Sequence, residues 1–166
     1  MPATPDDLFA FLDGLGIAHK AITRPPLFTV EQSQALRGTI PGGHTKNLFL
    51  KDKKDTVFLV VAPEQAGVDL KTLHHRLGAG RFSFGSADLM RALIGVEPGA
   101  VTAFGVINDT ARRVNVVLDA GLMENAILNC HPLVNTMTTS IARDGLVKFL
   151  RATGHEPRIA PVAGPA

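Results

Sequence analysis

The sequence holds one cysteine, Cys130, and neither tryptophan nor tyrosine in 166 residues. A lone thiol excludes an intrachain disulfide and any multi-cysteine zinc or iron–sulfur centre, and it points to a reducing compartment. With nine phenylalanines as its only aromatics, the chain lacks the usual stacking platform of RNA-binding sheets. Its longest unbroken apolar run is Val57 to Ala62, far short of the ~20 residues of a membrane span, so no membrane partner is expected. Charge of one sign is also scarce. The formal net charge of +2 is small for the basic stripe of a duplex-DNA reader, and no helix-turn-helix pattern is present. The opening residues Met-Pro-Ala-Thr-Pro-Asp-Asp contain no basic stretch leading into an apolar segment. No secretory or transit signal is read there, and a cytoplasmic location is expected.

Several motifs are missing as well. No G-x-G-x-x-G follows a strand, and Lys46 lacks the glycine before it and the helix after it that a phosphate-binding P-loop requires. There is no G-x-S-x-G elbow and no His-Glu-x-x-His pair. His74 and His75 are neighbours in a helical pattern, about 100° apart, and make a poor metal clamp. Cys130 beside His131 suggests a nucleophile with its base, but neighbours on a strand face opposite sides of a sheet, and a small buried cysteine is the commoner arrangement. Neither a metal nor a cofactor is expected.

What is present fits one domain, since a chain of this length can bury a single sizeable core. Thr4-Pro5-Asp6-Asp7 predicts a helix start, with Leu8, Phe11, Leu12 and Leu15 at helical spacing and Gly16 as the stop. Ile17 to Thr23 reads as a strand, and Thr29-Val-Glu-Gln32 as the capping box of a short helix ending near Gly38. His44–Lys51 and Thr56–Val61 read as two strands of a hairpin. Asp69 and Ser86 cap two amphipathic helices that end at Gly78 and Gly95. Strands are predicted at Ala103–Asn108, Arg113–Asp119, Ala126–Cys130 and Asn135–Ile141, followed by a helix carrying Leu146, Phe149 and Leu150. Residues 156–166, rich in proline and small side chains, read as a poorly ordered C-terminal tail to a domain spanning 1–155. The fold class is α/β: a mixed or antiparallel sheet with helices packed around it.

Two segments place many polar groups in otherwise apolar strands: His44-Thr45-Lys46-Asn47-Leu48-Phe49-Leu50 and His131-Pro132-Leu133-Val134-Asn135-Thr136-Met137-Thr138-Thr139. The strings GGHTKNLFLKD, GVEPGAV and CHPLVNTMTTSI, in that order, resemble the YbaK/prolyl-tRNA-synthetase-associated editing domains. The pairing of Lys-Asn-Leu-Phe-Leu-Lys with His-Pro-x-x-Asn-x-x-Thr-Thr is most similar to their free-standing ProXp-ala branch. The resemblance runs from about Pro26 to the final helix. It implies a barrel-like, mostly antiparallel mixed sheet surrounded by helices, and hydrolysis of the ester linking an amino acid to the terminal adenosine of tRNA. The implied substrate is alanine mischarged on proline tRNA. The implied partners are the acceptor end of that tRNA and prolyl-tRNA synthetase.

Carried over by position, Lys46 matches the family's essential lysine and Asn47 the polar residue beside it. Gly99 matches the glycine of the G-x-x-x-P loop, His131 the pocket histidine, and Thr29 falls in a loop near the tRNA end. An ammonium at the end of an apolar strand can hold a phosphate or polarise an ester carbonyl, and backbone amides of the Gly99 loop are natural oxyanion donors. An aminoacyl ester is labile enough that a positioned water suffices without a covalent nucleophile. One departure is Ala103, where the family loop ends in proline, so that proline's rigidity is missing. Rival readings are an editing enzyme for cysteine on proline tRNA, or for serine or threonine on other tRNAs, and a non-catalytic tRNA- or RNA-binding module on the same scaffold.

Overall fold

The computed structural model describes residues 2–23 and 42–162. Helix α1 (Pro5–Gly14) begins where the sequence places it. The Thr4 hydroxyl accepts from the Asp7 amide at 3.2 Å and the Asp7 carboxylate accepts from the Thr4 amide at 2.9 Å. This reciprocal capping box satisfies two amides that the helix itself cannot pair. Leu8 and Leu12 are completely buried, and Gly16, at φ +71°, turns the chain toward strand β1 (His19–Thr23). The helix expected at Thr29–Gly38 lies outside the described residues.

Strands β2 (Gly43–Lys51) and β3 (Val57–Pro63) form the expected antiparallel hairpin, with Lys46 opposite Ala62 and Asn47 opposite Val61. Its turn is held by Asp52, whose carboxylate accepts from the amides of Lys54 and Thr56, both at 2.9 Å, and of Gly80 at 3.3 Å. Burial pushes this carboxyl's pKa up, but the three amide bonds and the nearby Lys54 outweigh it, leaving the pKa below its ordinary 3.8. Helices α2 (Leu70–Leu77) and α3 (Ala87–Ile94) start on the Asp69 and Ser86 side chains, and end on Gly78 and Gly95 in the left-handed region. Between them lies the short strand β4 (Ser83–Phe84), paired with β2.

Strands β5 (Val114–Asp119), β6 (Ile127–Cys130), β7 (Met137–Ala142) and β8 (Arg158–Ala160) complete an eight-stranded sheet. The strand order is β1-β7-β6-β2-β3-β5-β8, with β4 beside β2. Four pairings are antiparallel and three, β2 with β6, β3 with β5 and β5 with β8, are parallel. The expected mixed, mostly antiparallel sheet with helices around it is thus found. Side chains alternate along a strand, so β2 and β3 feed two cores. Phe49, Leu59 and Val61 join α1, α3 and helix α4 (Arg143–Ala152), while Leu50, Val60 and Ala62 pack with α2 and Phe82. Among the described residues, no helix is long and apolar enough to cross a membrane.

Two expectations are corrected. Ala103–Asn108 is a 3-10 helix, not a strand. The Thr102 hydroxyl accepts from the Phe104 amide, Asn108 donates to the Ile94 carbonyl at 3.0 Å, and a Cβ on Gly105 would lie 2.8 Å from that of Ile94. A short buried apolar run has no periodicity that distinguishes strand from turn, and packing against α3 decides it. The segment past His155 is also not a disordered tail over its described part. β8 pairs with β5, and the Val162 amide donates to the Asp119 carboxylate at 2.9 Å. A buried His155–Asp109 contact of 2.8 Å anchors the chain just before it.

Candidate active site

Parallel pairing of β2 with β6 matches Gly43 to Leu128 and His44 to Asn129. Lys46 and His131 each lie two residues past that last matched pair, so the parallel register brings both candidate residues to the same level, Lys46 within β2 and His131 just after β6. The junction is locked by the Thr45 hydroxyl, which donates to the Asn129 carbonyl at 2.8 Å. Asn129 in turn donates to the Gly43 carbonyl at 3.3 Å and accepts from the Ser140 hydroxyl.

A small cavity of about 70 Å³ opens there, lined by His44, Thr45, Glu64, Asn129, Cys130, His131 and Thr138. His131 is one of these lining residues. Its Nδ1 lies 3.3 Å from the Met137 carbonyl. A carbonyl only accepts, so in this contact Nδ1 carries a proton.

Lys46 is part-buried, and its ammonium donates to the carbonyl of Ala66, in the turn after β3. An ammonium has three donors, so this bond steers the group without exhausting it. Asn47, on the opposite face of β2, has a buried Oδ1 with no hydrogen-bond partner among the described residues. Gly99 sits in the loop between α3 and the 3-10 helix at φ +94°, and a Cβ built on it would lie 3.7 Å from the Asn135 amide nitrogen. That contact places the glycine loop against the segment that carries His131. Thr29 lies outside the described residues. At Ala103, the loop ends as the first residue of the 3-10 helix, completely buried and preceded by the capping Thr102.

Cys130 is buried to 2% exposure, and burial pushes its thiol up to about 11, partly offset by the Thr45 hydroxyl. Such a thiol is inert as a nucleophile at neutral pH. Cys130 and His131 nevertheless both line the cavity, because β6 ends at Cys130 and strand alternation ends with it. The His74 and His75 rings lie 4.0 Å apart, but no group of three or more His, Cys, Asp or Glu suited to a metal occurs among the described residues.

Sequence reasoning misses Thr45, His44, Asn129 and Glu64 as cavity residues. The first two stand inside the polar motif of β2 and carry a signal. Glu64 has a weaker one, as the lone charge ending a seven-residue apolar strand.

A family model described as the aminoacyl-tRNA editing domain matches residues 24–149. The chain is 34% identical over 149 residues to the prolyl-tRNA editing protein ProX of Acetoanaerobium sticklandii, covering 89% of this chain and 91% of that one. It is 37% identical over 155 residues to the prolyl-tRNA synthetase associated domain-containing protein 1 of Danio rerio, covering 92% and 84%. A crystal structure of a proposed trans-editing enzyme for prolyl tRNA synthetase superposes with a TM-score of 0.74 at 16% identity, over 99% of this chain and all of that one. With its polar motifs brought together across the β2–β6 pairing and three quarters of its length matched, this chain belongs to the aminoacyl-tRNA editing domain family.

Proposed function

We propose that the chain removes alanine wrongly esterified to proline tRNA, acting in trans on the acceptor end of the tRNA. By family it is an aminoacyl-tRNA hydrolase. The observation that carries the finer reading is the small polar cavity at His131, to which β2 contributes His44 and Thr45, the residues just before Lys46. At about 70 Å³ the cavity is small, which favours a compact aminoacyl group such as alanyl over a bulkier one. A synthetase pocket built for proline cannot strongly reject alanine, because the missing contacts are worth only ~1–3 kcal/mol. A second site that admits alanine and clashes with proline supplies the missing discrimination.

In this reading, water attacks the ester carbonyl while amides of the Gly99 loop face the developing oxyanion. Lys46, steered by Ala66, holds the negative charge of the tRNA end or of the oxyanion. His131 walls the cavity beside the attacking water. The names of the relatives support prolyl tRNA as the substrate and prolyl-tRNA synthetase as a further partner.

The test is deacylation by the purified protein. Ala-tRNA(Pro) is expected to be cleaved and Pro-tRNA(Pro) spared, with Cys-, Ser- and Thr-charged tRNAs as competitors. Lys46→Ala is expected to lower kcat about 10²–10³-fold with the thermal melt preserved. Equal cleavage of the alanyl and prolyl esters, or of neither, refutes the reading.

A further inference from the structure

We propose that Glu64 makes the site selective for esters with a free α-amino group, its carboxylate pairing with the α-ammonium of the bound aminoacyl group. The inference rests on the deacylase reading and deepens it. Glu64 directly follows β3, and its backbone amide donates to the His44 carbonyl at 2.9 Å. A main-chain bond therefore delivers the side chain to the cavity, whatever that side chain is. Two residues later, the Ala66 carbonyl receives the ammonium of Lys46. The turn after β3 thus sets a cation and an anion at one corner of the site.

Among the described lining residues, the others offer imidazoles, hydroxyls, an amide and a thiol held protonated. Glu64 is the one carboxylate there. A carboxylate has acceptor sites for several donors, so partners already bonded to Glu64 leave it able to take another. An aminoacyl ester brings a single cation of its own, the α-ammonium, one bond from the carbon that bears the ester carbonyl. A charge-assisted bond is about twice as strong as a neutral one. It distinguishes substrates that a methyl-sized pocket alone cannot, namely an aminoacyl ester from one whose nitrogen is acylated or replaced by oxygen. The chemical class excluded in this way contains peptidyl esters of tRNA, whose cleavage would abort protein synthesis.

The probe is lactyl-tRNA(Pro), which carries a hydroxyl in place of the ammonium at nearly equal size. Each kcat/KM is divided by the uncatalysed hydrolysis rate of the same ester, because the ammonium itself activates the carbonyl. The wild type is expected to prefer the alanyl ester by about tenfold to a hundredfold. Glu64→Gln, and Glu64→Ala as a second variant, are expected to narrow that preference to within about threefold, by lowering alanyl turnover more than lactyl turnover. A wild type that cleaves both esters alike overturns the inference without any variant, as does a folded Glu64→Gln protein that keeps the full preference. Cleavage of neither ester overturns the deacylase reading and the inference with it, whereas indifferent cleavage of both overturns the inference alone.

Discussion

Replacing Gly99 by alanine separates backbone conformation from crowding at the loop assigned to the oxyanion. Gly99 has φ +94°, yet an added Cβ would meet nothing closer than the Asn135 amide nitrogen at 3.7 Å, an ordinary contact. Space therefore costs nothing, and the penalty is that of holding an L-residue at positive φ, about 1–2 kcal/mol. For a chain of this length that corresponds to a melting temperature lowered by about 2–8 °C. The loop has a cheaper response, which is to relax toward negative φ and re-aim its amides away from Asn135. In that case part of the stability returns and kcat falls by about tenfold or more, with KM little changed, because the lost interaction belongs to the transition state. Calorimetry and steady-state deacylation of Gly99→Ala measure both quantities. Wild-type melting together with wild-type kcat would refute both the conformational argument and the placement of the oxyanion at this loop.

Three further outcomes follow from the structure. Cys130→Ala is expected to keep deacylation within about threefold while costing about 1–2 kcal/mol of stability from a lost buried side chain, measured by urea unfolding. Thiol-directed alkylation of the native protein should be slow and leave activity intact, and rapid inactivation would contradict the protonated, buried thiol. Asp109→Ala is expected to cost about 3–5 kcal/mol. The Asp109 carboxylate accepts from the amides of Arg113 at 3.2 Å and Val114 at 2.8 Å and meets His155 Nε2 at 2.8 Å, so its removal strands several buried donors. A loss below about 1 kcal/mol in the same urea assay would show that water replaces it.

Features set by neighbouring residues are legible in the sequence itself. The Thr4–Asp7 capping box, the glycine stops and the β2–β3 hairpin involve partners a few residues apart, and each has a composition that little else explains. The polar motifs of β2 and of the segment after β6 locate Lys46 and His131 in the same way. The cavity is not legible, since it joins His44 to Asn129 through a parallel pairing, which leaves no turn signature between its partners. Glu64 escapes notice because a charge after an apolar strand ordinarily marks a solvated turn. The stretch from Ala103 to Val106 misleads for a different reason. It is buried on every side, so no solvent-facing alternation records its conformation.

The parallel pairing of β8 with β5 bears on how the chain avoids self-association. β5 is made long before Arg158 leaves the ribosome, and until β8 docks, the outer edge of β5 shows a row of unpaired amides and carbonyls beside the apolar residues Val116, Val117 and Leu118. Such an edge is a template on which a second nascent chain can add a strand. Asp119 opposes this by taking the Leu122 amide at 3.0 Å on one oxygen and the Val162 amide on the other. One side chain thereby latches the closing strand from beyond its end, and β8 covers the edge that β5 would otherwise present.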